Sequence, residues 1–390
     1  MKADSKQSLA WILFVPFLAL ALSYVARGVS FFAFAWVMST RGETAADLAL
    51  AVVLMAMVDV FLSRPIGWLS DRFSLSGITA AVEPLRAIVV PAALILSASF
   101  VEAMWLFYIV FLALEKLARI SLTKIVIRNV LVGNRSRVNG IISAVQDVSL
   151  LSGVLLGGVA VGYGMYFLTA MAAGVFVLAA TAVAYLLSSG VLLVNLPMQE
   201  PFRKTKEEAK TSPTASITGV TGILSATLII YEMLNVVLPF FVFRVLSFVP
   251  ASYSLIEAGW NLGAVVAGVL ISRWSKVAAL YPVWYMSLLI LSALIIFQSS
   301  LIAISVLMFS SGFLYTFIFV QIETHIQNNY RVEEIGSVKG RIWFWVGIVN
   351  IVTFTSVVFM AKWSNIYFIC LFCGIISFTA FAFGVILRRH

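Results

Sequence analysis

Residues 64–73 read Arg64-Pro-Ile-Gly-Trp-Leu-Ser-Asp-Arg-Phe73, and they form a charged corner between two long apolar segments. A weaker copy of this pattern returns 201 residues later, where Gly67-x-x-x-Asp71-Arg72-Phe73 aligns with Gly268-Val-Leu-Ile-Ser272-Arg273-Trp274. A second pair of segments, Arg137-Val-Asn-Gly140-Ile-Ile142 and Ser337-Val-Lys-Gly340-Arg-Ile342, is separated by 200 residues. Two matches at nearly the same offset indicate an internal duplication, with two similar halves joined in the middle.

The composition is that of a membrane protein. Of the 390 residues, 62% are hydrophobic and 11% are charged, and the mean hydropathy is +1.04. A soluble domain carries about a quarter charged residues. The apolar segments are too long for barrel strands and do not alternate, so the predicted fold class is an all-α integral membrane protein. Lys2 and Lys6 precede an apolar run without a small-residue cleavage site, which favours a first membrane helix over a signal peptide.

Turns and charges divide the chain into about twelve predicted membrane helices. Their predicted bounds are 9–39, 44–66, 77–98, 102–127, 139–161, 164–194, 216–244, 251–271, 279–297, 301–326, 336–360 and 363–387. We expect two pseudo-symmetric six-helix bundles, an N-terminal half at 1–195 and a C-terminal half at 216–390. The polar segment 196–215 is the predicted cytoplasmic linker between them.

The basic residues predict the orientation. Of 26 Lys and Arg, nineteen lie on the side that holds both termini, whereas Arg41, Arg244 and Lys362 lie on the other. This asymmetry predicts a bacterial cytoplasmic (inner) membrane protein with both termini in the cytoplasm. The net charge of +9 is therefore a topology signal, and no nucleic-acid partner is expected.

Ionisable residues at membrane depth are the candidates for chemistry. Each costs ~2.5–3.5 kcal/mol at a helix centre, so we expect them to face the bundle interior and to neutralise one another. The N-terminal half holds four cations and four acids: Arg27, Arg86, Lys116, Arg119, Asp59, Glu83, Glu115 and Asp147. Two pairs, Glu83–Arg86 and Glu115–Arg119, have the spacing of ion pairs within one helix.

The C-terminal half is predicted to supply Glu232, with Asn235, and an aromatic wall. The aromatic candidates are Trp260, Tyr315, Phe317, Trp343 and Trp345. Glu257 and Glu323 lie nearer to predicted helix ends, where we expect them to reach water. The alternative for all these charges is a structural ion network. The functional interpretation is strongest for Arg27, Asp59, Glu115 and Glu232, which lie nearest the midplane, where transporters bind substrate between their repeats.

Two motifs resemble those of the major facilitator superfamily. Gly67-x-x-x-Asp71-Arg72 resembles the signature after the second helix of that family, although Ser74 replaces its second glycine. Ser149-x-x-x-Gly153-Val154-x-x-Gly157-Gly158 resembles the Gly-x-x-x-Gly-Pro-x-x-Gly-Gly motif of its drug–proton antiporters, with Val154 at the proline position. The run from Arg135 to Gly158 is most similar to the branch of macrolide-efflux and siderophore-exporter proteins.

The resemblance implies a conformational gate at Gly67, Asp71, Arg72, Gly153 and Gly157. In the family, the aspartate of the corner packs against helices of the other half and locks the outward-facing state. The glycines allow close helix approach, and ordinary small-residue packing is the alternative interpretation. The resemblance also implies alternating access by a monomer whose partners are a small-molecule substrate and the lipid bilayer.

The predicted function is proton-coupled export of a small anionic or zwitterionic molecule, such as a siderophore or a drug. The substrate-binding candidates are Arg27, Lys116, Glu232, Asn235, Tyr315 and Trp343. The proton-coupling candidates are Asp59, Glu115, Glu232 and Asp147, because a carboxyl group removed from water binds protons more readily.

Several alternatives remain open at this stage. Uptake on the same fold, a lysolipid flippase, Na⁺ in place of H⁺ and a non-transporting sensor are the other hypotheses. An enzyme is not expected, because no metal cluster, nucleophile elbow or phosphate-binding loop is found in the sequence. No cofactor is expected beyond an ion gradient. Cys370 and Cys373 are interpreted as packing residues of the last helix, and His325 alone does not predict a metal site.

Overall fold

The described part of the chain is a set of apolar helices. The computed structural model describes residues 18, 21–29, 32, 45–72, 82, 84–85, 88–89, 92, 109–117, 134–164, 174–175, 178, 213–247, 249–273, 281–330, 334–361 and 365–389. Among these residues, seven helices are long and apolar enough to cross a membrane. The all-α membrane prediction is therefore confirmed. The predicted helices 9–39, 77–98, 102–127 and 164–194, and most of the linker, lie largely outside the described residues.

Eight helices of at least 14 residues can be followed within the described ranges. They are α1 (Ala45–Arg72), α2 (Arg135–Gly162), α3 (Pro213–Phe240), α4 (Pro250–Arg273), α5 (Tyr281–Leu294), α6 (Leu301–Asn329), α7 (Ile335–Met360) and α8 (Ile366–Arg389). Prolines open α3 and α4, where a missing backbone N–H costs nothing. By contrast Pro239 lies inside α3, and a π-helical turn, Phe241–Val245, follows it.

The charged corner is helical, which corrects the sequence interpretation. The prediction ended the second membrane helix at residue 66, but α1 continues through Pro65 and Gly67 to Arg72. Gly67 lies directly against the backbone of Gly336 on α7. This contact joins helices of opposite halves, because a glycine lets the backbone of α7 approach closely.

The halves meet through two equivalent helix pairs. α1 packs along α7, and α2 packs along α4, whereas α6 packs on α4 and α8 packs on α3. A Cβ on Gly140 of α2 would lie 2.6 Å from the carbonyl oxygen of Gly268 on α4. A Cβ on Gly340 of α7 would lie 2.8 Å from the carbonyl oxygen of Ser63 on α1, one turn from Gly67. Since these glycines belong to the two duplicated segments, the packing supports the internal duplication.

Apolar packing closes the opposite end of the same helices. Ala49 and Val52 near the start of α1 belong to one buried cluster with Val237 of α3 and Phe354 and Val357 of α7. Residues of both halves therefore pack together at the Ala45 end of α1, as well as at its Arg72 end. The space between these two contacts holds the candidate site.

Gly67→Ala is predicted to open the Arg72 end of the bundle, since the added methyl group has no space beside Gly336. The control is Gly374→Ala, whose Cβ would meet only Leu289 Cδ1, at 3.8 Å. In a variant that lacks Cys370 and Cys373, a cysteine placed at the buried Ile66 position reports the opening by its rate of maleimide labelling. We expect faster labelling with Gly67→Ala than with Gly374→Ala. Equal rates in the two variants would contradict the gating role of Gly67.

Candidate functional site

A cavity of about 270 Å³ lies between the two halves. Its lining comes from α1, α2, α3, α4, α6 and α7 and from the helical segments 21–29 and 109–117. The structure brings together in this lining every residue predicted to bind substrate or to carry protons: Arg27, Asp59, Glu115, Lys116, Asp147, Glu232, Asn235, Tyr315 and Trp343. These nine side chains therefore face the interior, as expected for polar groups at membrane depth.

The lining residues of α1 show how helical geometry builds one wall. Val52, Met55, Asp59, Ser63 and Ile66 follow one another at three- and four-residue intervals and all face the cavity. Side chains at these intervals lie on one helix face. Asp59 is consequently held in the wall of the cavity, and its side chain is only 10% exposed.

Arg27 and Glu115 form an ion pair across two helical segments. Arg27 Nη1 lies 2.7 Å from Glu115 Oε1, and the guanidinium Cζ lies 5.5 Å from the centre of the Tyr24 ring. The second oxygen, Glu115 Oε2, is buried and has no hydrogen-bond partner among the described residues. The predicted partner within the helix, Arg119, lies outside the described residues, as do Glu83 and Arg86. Glu115 thus has a tertiary partner that local spacing did not predict.

Lys116 connects the two halves. Its Nζ forms an ion pair with Asp59 Oδ1 on α1 and lies 4.2 Å from the centre of the Trp343 ring on α7. The face of an indole ring attracts a cation. One ammonium group therefore contacts a carboxylate of the N-terminal half and an aromatic ring of the C-terminal half.

Glu232 differs from these two acids. Its Oε2 accepts a hydrogen bond of 3.0 Å from Asn235 Nδ2, one turn along α3. Among the described residues, no lysine or arginine lies within ion-pair distance of Glu232. Asp147 accepts a 3.1 Å hydrogen bond from Ser143 Oγ on its own helix.

Three aromatic rings lie beside Glu232. The ring centres of Tyr231, Trp260 and Tyr315 are 5.1–5.5 Å apart, and all three side chains line the cavity. The predicted aromatic wall is corrected in two places. Trp345 is 52% exposed on the outer face of α7, and Phe317 packs on Trp284 with ring centres 5.0 Å apart, away from the cavity lining.

A polar cluster that the sequence interpretation did not identify lies towards the Arg72 end of α1. Asn139 Nδ2 on α2 donates to Gln327 Oε1 and Thr324 Oγ1 on α6, at 2.8 and 3.0 Å. Gln327 Nε2 donates back to Asn139 Oδ1 at 3.1 Å. Lys339 Nζ on α7 pairs with Glu323 Oε2 on α6 at 2.7 Å, and the lysine side chain is only 2% exposed. The Asn139 contacts join the N-terminal half to the C-terminal half, whereas the Lys339–Glu323 pair lies within the C-terminal half. Asn139, Glu323, Gln327 and Lys339 all line the cavity.

The main errors in the site prediction concern the exposure of charged residues near helix ends. Lys339 was counted among the cytoplasmic charges, and Glu257 and Glu323 were expected to reach water. The structure buries Lys339 and Glu257, which are 2% and 8% exposed, and pairs Glu323 with Lys339. The sequence held a signal for this cluster, because Asn139 and Lys339 occupy equivalent positions in the duplicated segments.

The predicted gate residues divide into two groups. Gly67 lies between the halves, whereas Gly153 packs on Gly28 and Gly157 packs on Phe32, within the N-terminal half. Of these, only the Gly67 contact can change when the halves move apart. Asp71 and Arg72 belong to the last turn of α1, but their side chains are outside the described set, so the predicted lock stays a prediction.

The remaining sequence predictions concern the two cysteines and metal binding. Cys370 and Cys373 are unbonded and pack in the apolar cluster of α8 and its neighbours, as the sequence predicted. The described residues contain no group of three His, Cys, Asp or Glu side chains that could hold a metal ion.

One known protein family matches the part of the chain that lines the cavity. A family model described as Major Facilitator Superfamily matches residues 16–354. Among curated proteins, none matches the chain. The matched range extends beyond every residue that lines the cavity, from Tyr24 to Trp343.

Proposed function

The chain belongs to the major facilitator superfamily, and we propose that it exports a small zwitterionic or anionic molecule in exchange for protons. Membership makes it a secondary transporter and a multi-pass membrane protein. A transporter of this kind opens one central site alternately to the two sides of the membrane. The cavity between the halves, with contacts at both ends, has the position such a site requires.

The observation that carries the proposal is the contrast among the acids of the cavity. Asp59, Glu115 and Glu323 each form an ion pair, whereas Glu232 accepts a hydrogen bond from Asn235 and has Lys116 and Arg27 only beyond ion-pair distance. Removing a carboxylate from water without an ion-pair partner disfavours its charged form. Glu232 is therefore the side chain at which a proton and a substrate ammonium group would compete, and this competition couples their movements.

Arg27 and Lys116 are proposed to bind the carboxylate of the substrate. Each already holds a carboxylate, Glu115 or Asp59, so an incoming anion replaces a partner of similar chemistry. After the anion leaves into acidic solution, Asp59 or Glu115 takes up a proton there, carries it across and releases it before the ion pair forms again. In this scheme Asp59 and Glu115 are additional proton carriers, and Asp147, which also lines the cavity, is a third candidate.

The size and the lining of the cavity indicate the class of substrate. Ligand pockets hold about 300–1,000 Å³, so a cavity of about 270 Å³ suits a small organic molecule. Tyr231, Trp260 and Tyr315 offer ring faces to an apolar or aromatic part of it. A carboxylate-bearing siderophore or a drug of similar size is the proposed cargo. A lipophilic cation, held by Glu232 and these rings, is the second candidate.

The remaining features of the cycle are proposals of the same kind. Direction is set by the proton gradient, so uptake would use the same residues in reverse. A lysolipid flippase would need a lateral opening between helices. We propose a monomer in the bacterial cytoplasmic membrane with cytoplasmic termini, a coupling ion that is H⁺, and no cofactor. Asp71 and Arg72 are proposed to take part in the lock at the Arg72 end of α1.

Arg27→Ala is predicted to lower export of a carboxylate-bearing siderophore by about tenfold or more, because a charge-assisted hydrogen bond in the cavity contributes about 1.5–3 kcal/mol. The measurement is gradient-driven loss of the compound from loaded vesicles. The matched control is Arg137→Ala, which removes an exposed arginine of α2 outside the cavity lining. Export that persists in Arg27→Ala but is lost in Glu232→Gln would contradict an anionic substrate. It would indicate that the substrate is a lipophilic cation.

A further inference from the structure

One face of α4 holds three buried polar side chains outside the ion pairs described above. Tyr253, Glu257 and Asn261 follow at four-residue intervals and are 1%, 8% and 2% exposed. Tyr253 and Asn261 line the cavity, and Glu257 lies between them along the helix. The proposed function does not use this group, and the sequence interpretation placed Glu257 in water.

The hydrogen bonds around Glu257 leave an acceptor without a donor. Tyr253 Oη donates to Glu257 Oε1 at 3.0 Å, and Asn261 Nδ2 donates to the backbone oxygen of Glu257 at 2.9 Å. Asn261 Oδ1 is buried and has no hydrogen-bond partner among the described residues. An ionised Glu257 offers only acceptors, whereas a protonated Glu257 adds one O–H donor. Because Asn261 Oδ1 is a buried acceptor without a donor, its surroundings favour the protonated form of Glu257, which carries a donor.

The charged and titratable groups on the neighbouring helices also favour the protonated form of Glu257. The titratable groups that line the cavity from the packed helices are Asp147 on α2, Tyr231 and Glu232 on α3, and Tyr315 and Glu323 on α6. All of these are acidic or phenolic. Arg27, the cation of the neighbouring segment 21–29, pairs with Glu115. Within the described residues no cation forms an ion pair with Glu257. A buried carboxylate without a cation is strongly disfavoured.

The position of Tyr253 connects this group to the movement of the halves. The Tyr253 and Phe32 ring centres are 6.0 Å apart, and the Ser254 side chain lies directly against Gly158 of α2. Both contacts join α4 to the N-terminal half. When α2 and α4 separate, Tyr253 loses its packing partner and water gains a path to Glu257.

We propose that Glu257 is a second protonation site of the transport cycle, reached from the cavity through Tyr253 and Asn261. In the arrangement described here Glu257 is a carboxylic acid. When the halves separate, its O–H bond breaks, the proton passes to water in the cavity, and the carboxylate is hydrated. Together with Glu232, this gives the C-terminal half two proton carriers. The inference rests on the proposed proton coupling for its role in transport, but protonation of Glu257 is measurable without any substrate.

Infrared difference spectroscopy of the full chain in lipid vesicles, between alkaline and acidic buffer, tests protonation directly. The wild type is expected to show carbonyl stretching bands of protonated carboxyl groups, and Glu257→Gln is expected to remove one of them. Tyr253→Phe, which keeps the acid but removes its donor, is expected to shift the frequency of that same band. Glu334→Gln, which removes an exposed acid before α7, is the control and should leave the band in place. A band unchanged in both Glu257→Gln and Tyr253→Phe would overturn the proposal.

A transport measurement separates this inference from the proposed function. With a carboxylate-bearing siderophore as probe and the membrane potential held at zero, each proton exchanged per cycle multiplies by about ten the siderophore gradient that a tenfold proton gradient balances. Glu257→Gln removes one exchanged proton and is expected to lower the balanced gradient by about that factor of ten. If Glu257→Gln balances the same siderophore gradient as the wild type and export is still driven by protons, the role of Glu257 is overturned. The proposed function would stand in that case. Export indifferent to the proton gradient in the wild type would instead contradict the proposed function, and the infrared band would still report on Glu257.

Discussion

Glu232→Gln is expected to weaken the dependence of transport on the proton gradient, with gradient-driven export falling at least about tenfold. Glutamine has the shape of a protonated glutamate and retains an oxygen for the hydrogen bond from Asn235. The fold is therefore preserved while the exchangeable proton is lost. The measurement is the initial rate of export from vesicles with and without an imposed pH difference.

The matched control for this prediction is Glu334→Gln. Glu334 is an exposed acid that precedes α7, so its loss removes the same charge from the protein without altering the cavity. A Glu232→Gln variant with the pH dependence of the wild type would remove Glu232 from the coupling mechanism. Asp59 and Glu115 would then be the carriers that remain.

Lys116→Met is expected to produce a large loss of stability. The substitution leaves Asp59, whose side chain is 10% exposed, without its basic partner. Breaking a buried pair by removing one member costs about 3–5 kcal/mol. It also removes the contact of the ammonium group with the Trp343 ring. We expect a lower unfolding temperature in detergent and no transport of an anionic probe.

The double variant Lys116→Met/Asp59→Asn separates stability from function. Because the second substitution removes the uncompensated carboxylate, the unfolding temperature is expected to return towards that of the wild type. Transport of the anionic probe is expected to stay absent, since the cation is still missing. If the two substitutions lower the unfolding temperature additively, Lys116 and Asp59 do not form the coupled pair described here.

The sequence was sufficient to predict the cavity because charge is so costly in a membrane. Nine side chains chosen only for their chemistry and their depth all line one space. The contact between Gly140 and Gly268, which joins the halves, was not predicted from the sequence, although both glycines belong to the duplicated segments. The charge argument needs no knowledge of local geometry, whereas a contact between two particular residues does.

Local rules failed where the opposite half of the protein covers a helix end. Glu257 and Lys339 looked accessible because each is close to the start of its helix, yet packing against the other helices buries both. The continuation of α1 to Arg72, with Gly67 against α7, was also missed. Trp345 was assigned to the cavity by its type alone, whereas the rotation of α7 turns it outward. Each of these features depends on how whole helices pack, which is absent from any single segment.

Proton movement driven by substrate is the most direct test of the account. Purified protein is placed in vesicles that contain a pH-sensitive dye, and a gradient of a carboxylate-bearing siderophore is imposed at zero initial pH difference. We predict that protons move opposite to the siderophore, and that Glu232→Gln markedly lowers this proton movement while Glu334→Gln does not. Siderophore movement without any change of the internal pH in the wild type would contradict proton exchange at Glu232.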